Sequence, residues 1–267
     1  MLKDITIGQY FPGNSIIHRL DARFKIIITI IFIVMLFAAD GFASIGIGVI
    51  FMIMSYVLTR IPVGLMFKSL RPVIPVLFFT AVLNVFFYEG DVIFHLWFIK
   101  ITDEGVKNAS FMLIRVISLI VGSSILTYTT SPVALTDGIE RLMSPLKRFK
   151  FPVHELAMMM TIALRFIPTL IEETDKIISA QKARGADFEN GSLKQRISAV
   201  IPVIIPLFVS AFKRAEELAV AMECRCYQGG EGRTRLRKSR IKISDFIALA
   251  CSVTFLAGII TTDYLLK

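Results

Sequence analysis

Five runs of the sequence, about Phe24 to Ala39, Ala43 to Leu58, Val73 to Tyr88, Ala109 to Tyr128 and Ile243 to Leu266, are mainly apolar over nearly the length that a helix needs to cross a bilayer. Backbone amides in lipid find no water to bond, so such runs must become helices that satisfy their own hydrogen bonds. With 55% hydrophobic residues, a mean hydropathy of +0.68 and a formal charge of +9 over 267 residues, the chain is far from the composition of a soluble domain. The first two runs are short and joined through Asp40-Gly41-Phe42; they form either an antiparallel hairpin or tilted, partly interfacial helices.

Basic residues stay on the cytoplasmic side, so their distribution sets the orientation. His18, Arg19, Arg23 and Lys25 place the N-terminus inside, and Arg60, Lys68 and Arg71 place the connection between the second and third runs inside. The stretch from Glu89 to Asn108 carries Glu89, Asp91, Asp103 and Glu104 and reads as an outer loop, with Tyr88 and Trp97 near the outer interface. The insertion before the last span then lies in the cytoplasm and Lys267 outside. The segment before Phe24 lacks the basic-then-apolar layout of a cleaved signal, so the first span is expected to be kept. Cys224, Cys226 and Cys251 are too few and too clustered for a disulfide framework and are expected to be free thiols. No basic and aromatic pattern of a nucleic-acid module occurs.

The insertion is helical. Pro132 to Phe149 places Leu135, Ile139, Leu142 and Leu146 at helical spacing, with Ser131 as cap and Pro145 bending or ending the helix. A much longer pattern runs from His154 to about Ala186, with Pro168 expected to kink it. A third runs from about Leu193 to Gln228, carries Pro202 and Pro206, and is expected to stop at Gly229-Gly230. The two long helices form a pair of levers with hinges at Pro168, Pro202 and Pro206. Both are apolar in their first halves and charged in their second. The apolar halves need a cover, which is each other, the membrane interface or another protein. For Met158, Met159 and Met160, core filling and a contact surface both remain open.

Shifting the third helix by about forty residues lays Cys224-Arg225-Cys226 over Ala183-Arg184-Gly185, with Ala221 over Ala180 and Glu217 over Lys176. Each helix ends in small-Arg-small. Small neighbours let a partner's backbone come close, and the guanidinium between them can grip a carboxylate with two parallel hydrogen bonds. Taken singly, either Arg could merely complement its helix dipole, worth about 0.3 to 1 kcal/mol. The duplication favours docking on two similar receptors.

Through these two motifs, together with Leu164-Arg165-Phe166-Ile167-Pro168 and Glu172-Glu173, the chain resembles over essentially its full length the transmembrane T component of the energy-coupling factor family of ABC-type vitamin and metal importers. The second motif departs in having cysteines where the family more usually has alanine and glycine, and cysteine is still small. The resemblance implies an all-α integral membrane protein of about five transmembrane helices, with spans one to four in 1–130, coupling helices in 131–240 and the last span in 241–267. It implies that Ala183, Arg184, Gly185, Cys224, Arg225 and Cys226 dock two ABC-type ATPase subunits, each Arg facing an acidic residue. ATP would be bound by those partners, and this chain would carry neither cofactor nor active site. The apolar stretches, through Met158, Met159, Ile162, Phe166, Ile201, Ile204, Ile205 and Phe208, would hold a small membrane subunit, the S component, that binds the substrate. The setting implied is a bacterial cell membrane.

No phosphate-binding loop occurs: Gly229-Gly230-Glu231-Gly232-Arg233 lacks the required Lys and following apolar helix. His18, His95 and His154 have no second ligand at metal spacing, and Cys224-x-Cys226 alone is a weak site for a soft metal. Arg115 is costly in a span unless paired, and its nearness to the run's start favours a reach toward the outer interface. Asn84 is expected to bond between helices, and the basic run Arg233, Arg235, Arg237, Lys238, Arg240 and Lys242 to hold topology beside anionic lipid. A self-contained secondary transporter or channel would show ionisable groups in several spans and repeated span units, whereas the repeat here lies in the insertion. A membrane enzyme would have to use Glu172, Glu173 and Asp175, which read as a solvated helix face.

Overall fold

The computed structural model describes residues 10–87, 92–96, 99–186, 188, 192–229 and 241–266. Tyr88, Glu89, Asp91, Trp97, Gly230, Arg233, Arg235, Arg237, Lys238, Arg240 and Lys267 lie outside them. The chain is an all-α integral membrane protein. Its helices run α1 (Ala22–Ala38), α2 (Phe42–Thr59), α3 (Val63–Leu70), α4 (Ile74–Phe87), α5 (Asp103–Thr129), α6 (Pro132–Leu142), α7 (Val153–Ala183), α8 (Leu193–Glu223) and α9 (Ile243–Leu266). A short antiparallel pair, β1 (Val92–Leu96) and β2 (Ile99–Thr102), precedes α5 where the sequence had read as loop.

Among the described residues five helices are, by length and composition, long and apolar enough to cross a membrane, α2, α5, α9 and the two long helices α7 and α8; α3 with α4, bent by 62°, makes a sixth if taken as one broken span. The number agrees with expectation while the membership differs. Helix α1, with 17 residues, is one residue shorter than α2 and still within the range that a span can cover, whereas α4, with 14, needs α3 to reach it. The apolar first halves of α7 and α8 make those two qualify by length and composition.

The described residues divide into two compact units, one drawn from Gly8–Gly138 and Lys238–Lys267, the other from Ile139–Arg237. In the first, α1, α2, α5 and α9 pack on a core of Phe32, Met35, Leu36, Ala39, Ile45, Phe51 and Ile259. Close approach depends on missing side chains: a Cβ on Gly122 would stand 2.1 Å from the Phe32 ring, and one on Gly48 2.8 Å from Leu36.

The two ends of this bundle are held by buried polar contacts. At one, Asp245 at the start of α9 is 1% exposed and accepts from the Asp21 amide at 3.0 Å and the Lys242 amide at 2.7 Å. Asp21 itself caps α1 by accepting from the Arg23 amide at 3.0 Å. Beside it the buried Lys25 donates to the carbonyls of Thr129 at 2.9 Å and His18 at 3.2 Å and to the Thr130 hydroxyl at 3.3 Å, satisfying the end of α5. At the other end, Asp263 near the close of α9 accepts from the Ser44 hydroxyl and from the Asp40 amide at the α1–α2 turn. That turn makes α1 and α2 antiparallel neighbours, the first of the two arrangements that the sequence allowed.

Several local expectations are corrected. Helix α5 begins at Asp103 instead of Ala109, because the Thr102 hydroxyl accepts from the Gly105 amide at 3.2 Å and two acids occupy the first turn. Arg115 therefore sits well inside the helix. It donates to the Ala39 carbonyl beside the α1–α2 turn and lies 4.6 Å from the Phe111 ring centroid, so its reach toward that end of the bundle finishes on a partner within the protein. Asn84 donates within its own helix, to the Thr80 carbonyl at 2.9 Å. Lys68 belongs to α3, whose end is tied to α5 by the Tyr128 hydroxyl on the Leu65 carbonyl at 3.1 Å. Ser131 caps α6 as expected, accepting from the Ala134 amide at 3.3 Å, and α6 ends before Pro145, which enters a 3-10 turn over Ser144–Phe149.

Candidate docking site on two long helices

Helices α7 and α8 are each 31 residues long, and each continues through its internal prolines, Pro168 in one and Pro202 and Pro206 in the other. Each proline removes one helical hydrogen bond and crowds the preceding turn, which localises any bending there. The start of α7 is fixed by Val153 and Ala157, both buried, and by His154 Nδ1 at 3.1 Å from Glu140 Oε1.

The two helices end alike. In α7 the Arg184 amide donates to the Gln181 carbonyl at 3.1 Å, Gly185 to Lys182 at 3.0 Å and Ala186 to Gln181 at 3.0 Å. In α8, forty-one residues on, Arg225 donates to Met222 at 3.1 Å, Cys226 to Glu223 at 2.8 Å and Tyr227 to Met222 at 3.0 Å. These are the paired back-bonds of a Schellman cap, and the residue after each arginine takes the left-handed conformation, φ +88° at Gly185 and +54° at Cys226. The α8 end thus falls at Cys226 and not at Gly229-Gly230, because the Tyr227 bond has already closed the last turn. Ala183, Arg184 and Gly185 are exposed, as are Cys224, Arg225 and Cys226. Among the described residues neither guanidinium has an ion-pair partner.

The small residue after each arginine therefore has a conformational task as well as a steric one. Glycine meets it freely, whereas a Cβ in left-handed backbone costs about 1 kcal/mol or more. Replacing Cys226 with Gly is expected to tighten the end of α8 by roughly 1 kcal/mol, seen as about fivefold slower amide exchange over its last turn. Unchanged exchange would show that the strain at Cys226 is negligible.

The apolar halves do not cover one another. On α8, Ile201, Ile204, Ile205, Phe208 and Val209 are exposed, up to 63% at Val209, and an open groove of about 570 Å³ runs along Ile204, Ile205, Phe208, Val209 and Phe212. On α7, Met159 and Met160 are exposed while Met158, Ile162 and Phe166 are half-buried. Core filling thus accounts for neither Met159 nor Met160.

The sequence profile of a family described as Cobalt transport protein, CbiQ, matches residues 13–236. The chain is 50% identical over 264 residues to the "Energy-coupling factor transporter transmembrane protein EcfT" of Ruminiclostridium cellulolyticum, covering 99% of each. It is 50% identical over 264 residues to the protein of the same name from Thermosediminibacter oceani, covering 99% and 100%, and 49% identical over 239 residues to that of Bacillus subtilis, covering 89% and 90%. The chain belongs to the EcfT proteins of the CbiQ family. It is thus the transmembrane component of an energy-coupling factor transporter.

One contact of this EcfT chain escaped the sequence reading. Glu173, taken for part of a solvated face, accepts from Arg214 Nη2 at 2.9 Å, half-buried between α7 and α8, and the nearby Ser210 hydroxyl and Arg214 hold its carboxyl below the usual carboxylate range. A signal was present, since the offset that aligns the two motifs lays Glu173 over Arg214. That alignment was followed only where residues were alike, and here they are opposite in charge.

Proposed function

We propose that this chain is the non-enzymatic coupling subunit of an ATP-driven importer of vitamins or other micronutrients. Arg184 and Arg225 dock two ABC-type ATPase subunits, each reaching an acidic residue, and ATP is bound by those partners. The observation that carries this reading is the common build of the two helix ends, with the same cap bonds and an exposed guanidinium at each. A helix dipole alone would call for neither the repeated cap nor the repeated small neighbours. The exposed apolar face of Met159, Ile201, Ile204, Ile205 and Phe208, with Met158, Ile162 and Phe166 alongside, takes a small membrane S component that binds the substrate. Pro168, Pro202 and Pro206 let the helices bend as the ATPases close and open. The chain sits in the bacterial cell membrane, with its N-terminus and the 131–240 segment in the cytoplasm and its C-terminus outside. The grouping of basic residues supports that placement: Arg19, Arg23 and Lys25 lie at the start of α1, the end of the bundle where α5 finishes and α9 begins.

Purification through a tag on this chain, with the co-purifying proteins identified, tests the whole reading. Two nucleotide-binding chains and a small hydrophobic one are expected. A chain that purifies alone and imports solute by itself would establish a self-contained carrier instead.

A further inference from the structure

Arg184 lies eleven residues beyond Glu173, and Arg225 lies eleven residues beyond Arg214. The Glu173–Arg214 contact therefore divides the pair into two arms of equal length, each about 16 Å from contact to tip at 1.5 Å per residue. Among the described residues it is the ion pair that joins α7 to α8. Ser210 lies one turn before Arg214 on α8, and its hydroxyl together with the guanidinium holds the Glu173 carboxyl below the usual carboxylate range. Around it the apolar Leu170, Ile177, Leu207 and Ala211 are half-buried. The buried apolar residues of α7 are Val153 and Ala157, well before Glu173, and that of α8 is Val203, well before Arg214. Beyond the contact the α8 arm is mostly exposed, while the α7 arm mixes exposed residues with half-buried ones such as Ile177 and Ile178.

Apolar packing is non-directional, whereas a charge-assisted hydrogen bond between a carboxylate and a guanidinium fixes both separation and orientation. We propose that Glu173 and Arg214 form the pivot of the helix pair, a positioning contact that fixes the point at which the two helices cross, so that the arginine tips move about one defined centre. This rests on the docking reading for its purpose, since a defined centre matters only if two receptors must be engaged together. The contact itself is tested without any partner.

The test uses the full-length chain in lipid nanodiscs. Nitroxides are attached through Ser179→Cys and Val220→Cys, exposed positions forty-one residues apart on the two arms, in a background carrying Cys224→Ala, Cys226→Gly and Cys251→Ala. Electron–electron dipolar spectroscopy reads the distance between the arms. Glu173→Gln and Arg214→Gln are each expected to broaden that distribution at least about twofold, as a hinge freed of its constraint should. The double reversal, Glu173→Arg with Arg214→Glu, restores the narrow distribution. Glu173→Gln keeps an acceptor for Ser210 and nearly the same shape, so it separates loss of the pivot from loss of folding. In the reconstituted transporter the same single variants raise ATP hydrolysed per substrate imported by a factor of about three to five, the weight of one half-buried ion pair. Widths unchanged in both single variants would overturn the proposal, as would a reversal no narrower than they are. Arg184→Glu serves as the contrast: it removes ATPase binding and leaves the arm distance untouched, so failure of docking and failure of the pivot give different results.

Discussion

Transporter purified through a tag on the Arg184→Glu variant is expected to lose the ATPase subunit bound at the α7 end, and Arg225→Glu the one bound at the α8 end. Removing one partner of a buried, hydrogen-bonded charge pair costs about 2–5 kcal/mol, and reversing its sign costs more, so the affinity of each contact should fall at least about a hundredfold. Both tips are exposed, and among the described residues neither has an ion-pair partner, so the variants break no ion pair described within the chain. Arg184→Lys should give an intermediate loss, because the ammonium keeps the charge but cannot offer the two-pronged fork. If the arginines served only the helix dipoles, the sole effect would be fraying of the last turn by about 0.3 to 1 kcal/mol, with co-purification and transport unchanged. That result would end the docking account.

Asp245→Ala is expected to destabilise the membrane bundle by about 3 kcal/mol or more. The carboxylate is 1% exposed and takes two backbone amides, so alanine strands the buried Asp21 amide and removes the cap that ties Lys242 to the start of α9. It also removes a negative group that faces the buried Lys25. For a chain of this size the loss should lower the midpoint of thermal unfolding in detergent by roughly 10 °C. Asp245→Asn, which keeps one acceptor oxygen, should fall between the two. A midpoint for the alanine variant within a degree of the parent would mean that water enters to satisfy both amides.

The motif arginines were legible because their signal is local: residue types at fixed spacing, repeated in two segments. Helix existence was legible for the same reason, since apolar runs in lipid have one economical conformation. Boundaries were less so. The start of α5 was set by Thr102, whose hydroxyl had to be recognised as a cap, and the end of α8 by a cysteine in backbone that favours glycine. Contacts distant in sequence left almost no trace. Arg115 reaches a carbonyl at the end of α1, 76 residues away, and Asp245 an amide 224 residues away, so neither pairing could be found by reading along the chain. Even Glu173–Arg214, aligned by the repeat, needed the two helices side by side to be recognised as a contact.

Taken alone, the order of residues settled that this chain must live in lipid, that its helices alternate with loops of opposite charge, and that two helix ends carry the same grip. Those properties depend on hydrophobicity, charge and spacing, which belong to a segment wherever it lies. Which carboxylate meets which amine, where α7 and α8 are joined, and which apolar faces stay uncovered were decided only in three dimensions. Each is fixed by a few ångströms between groups far apart along the backbone, and a hydrogen bond or ion pair loses its direction and strength within that distance.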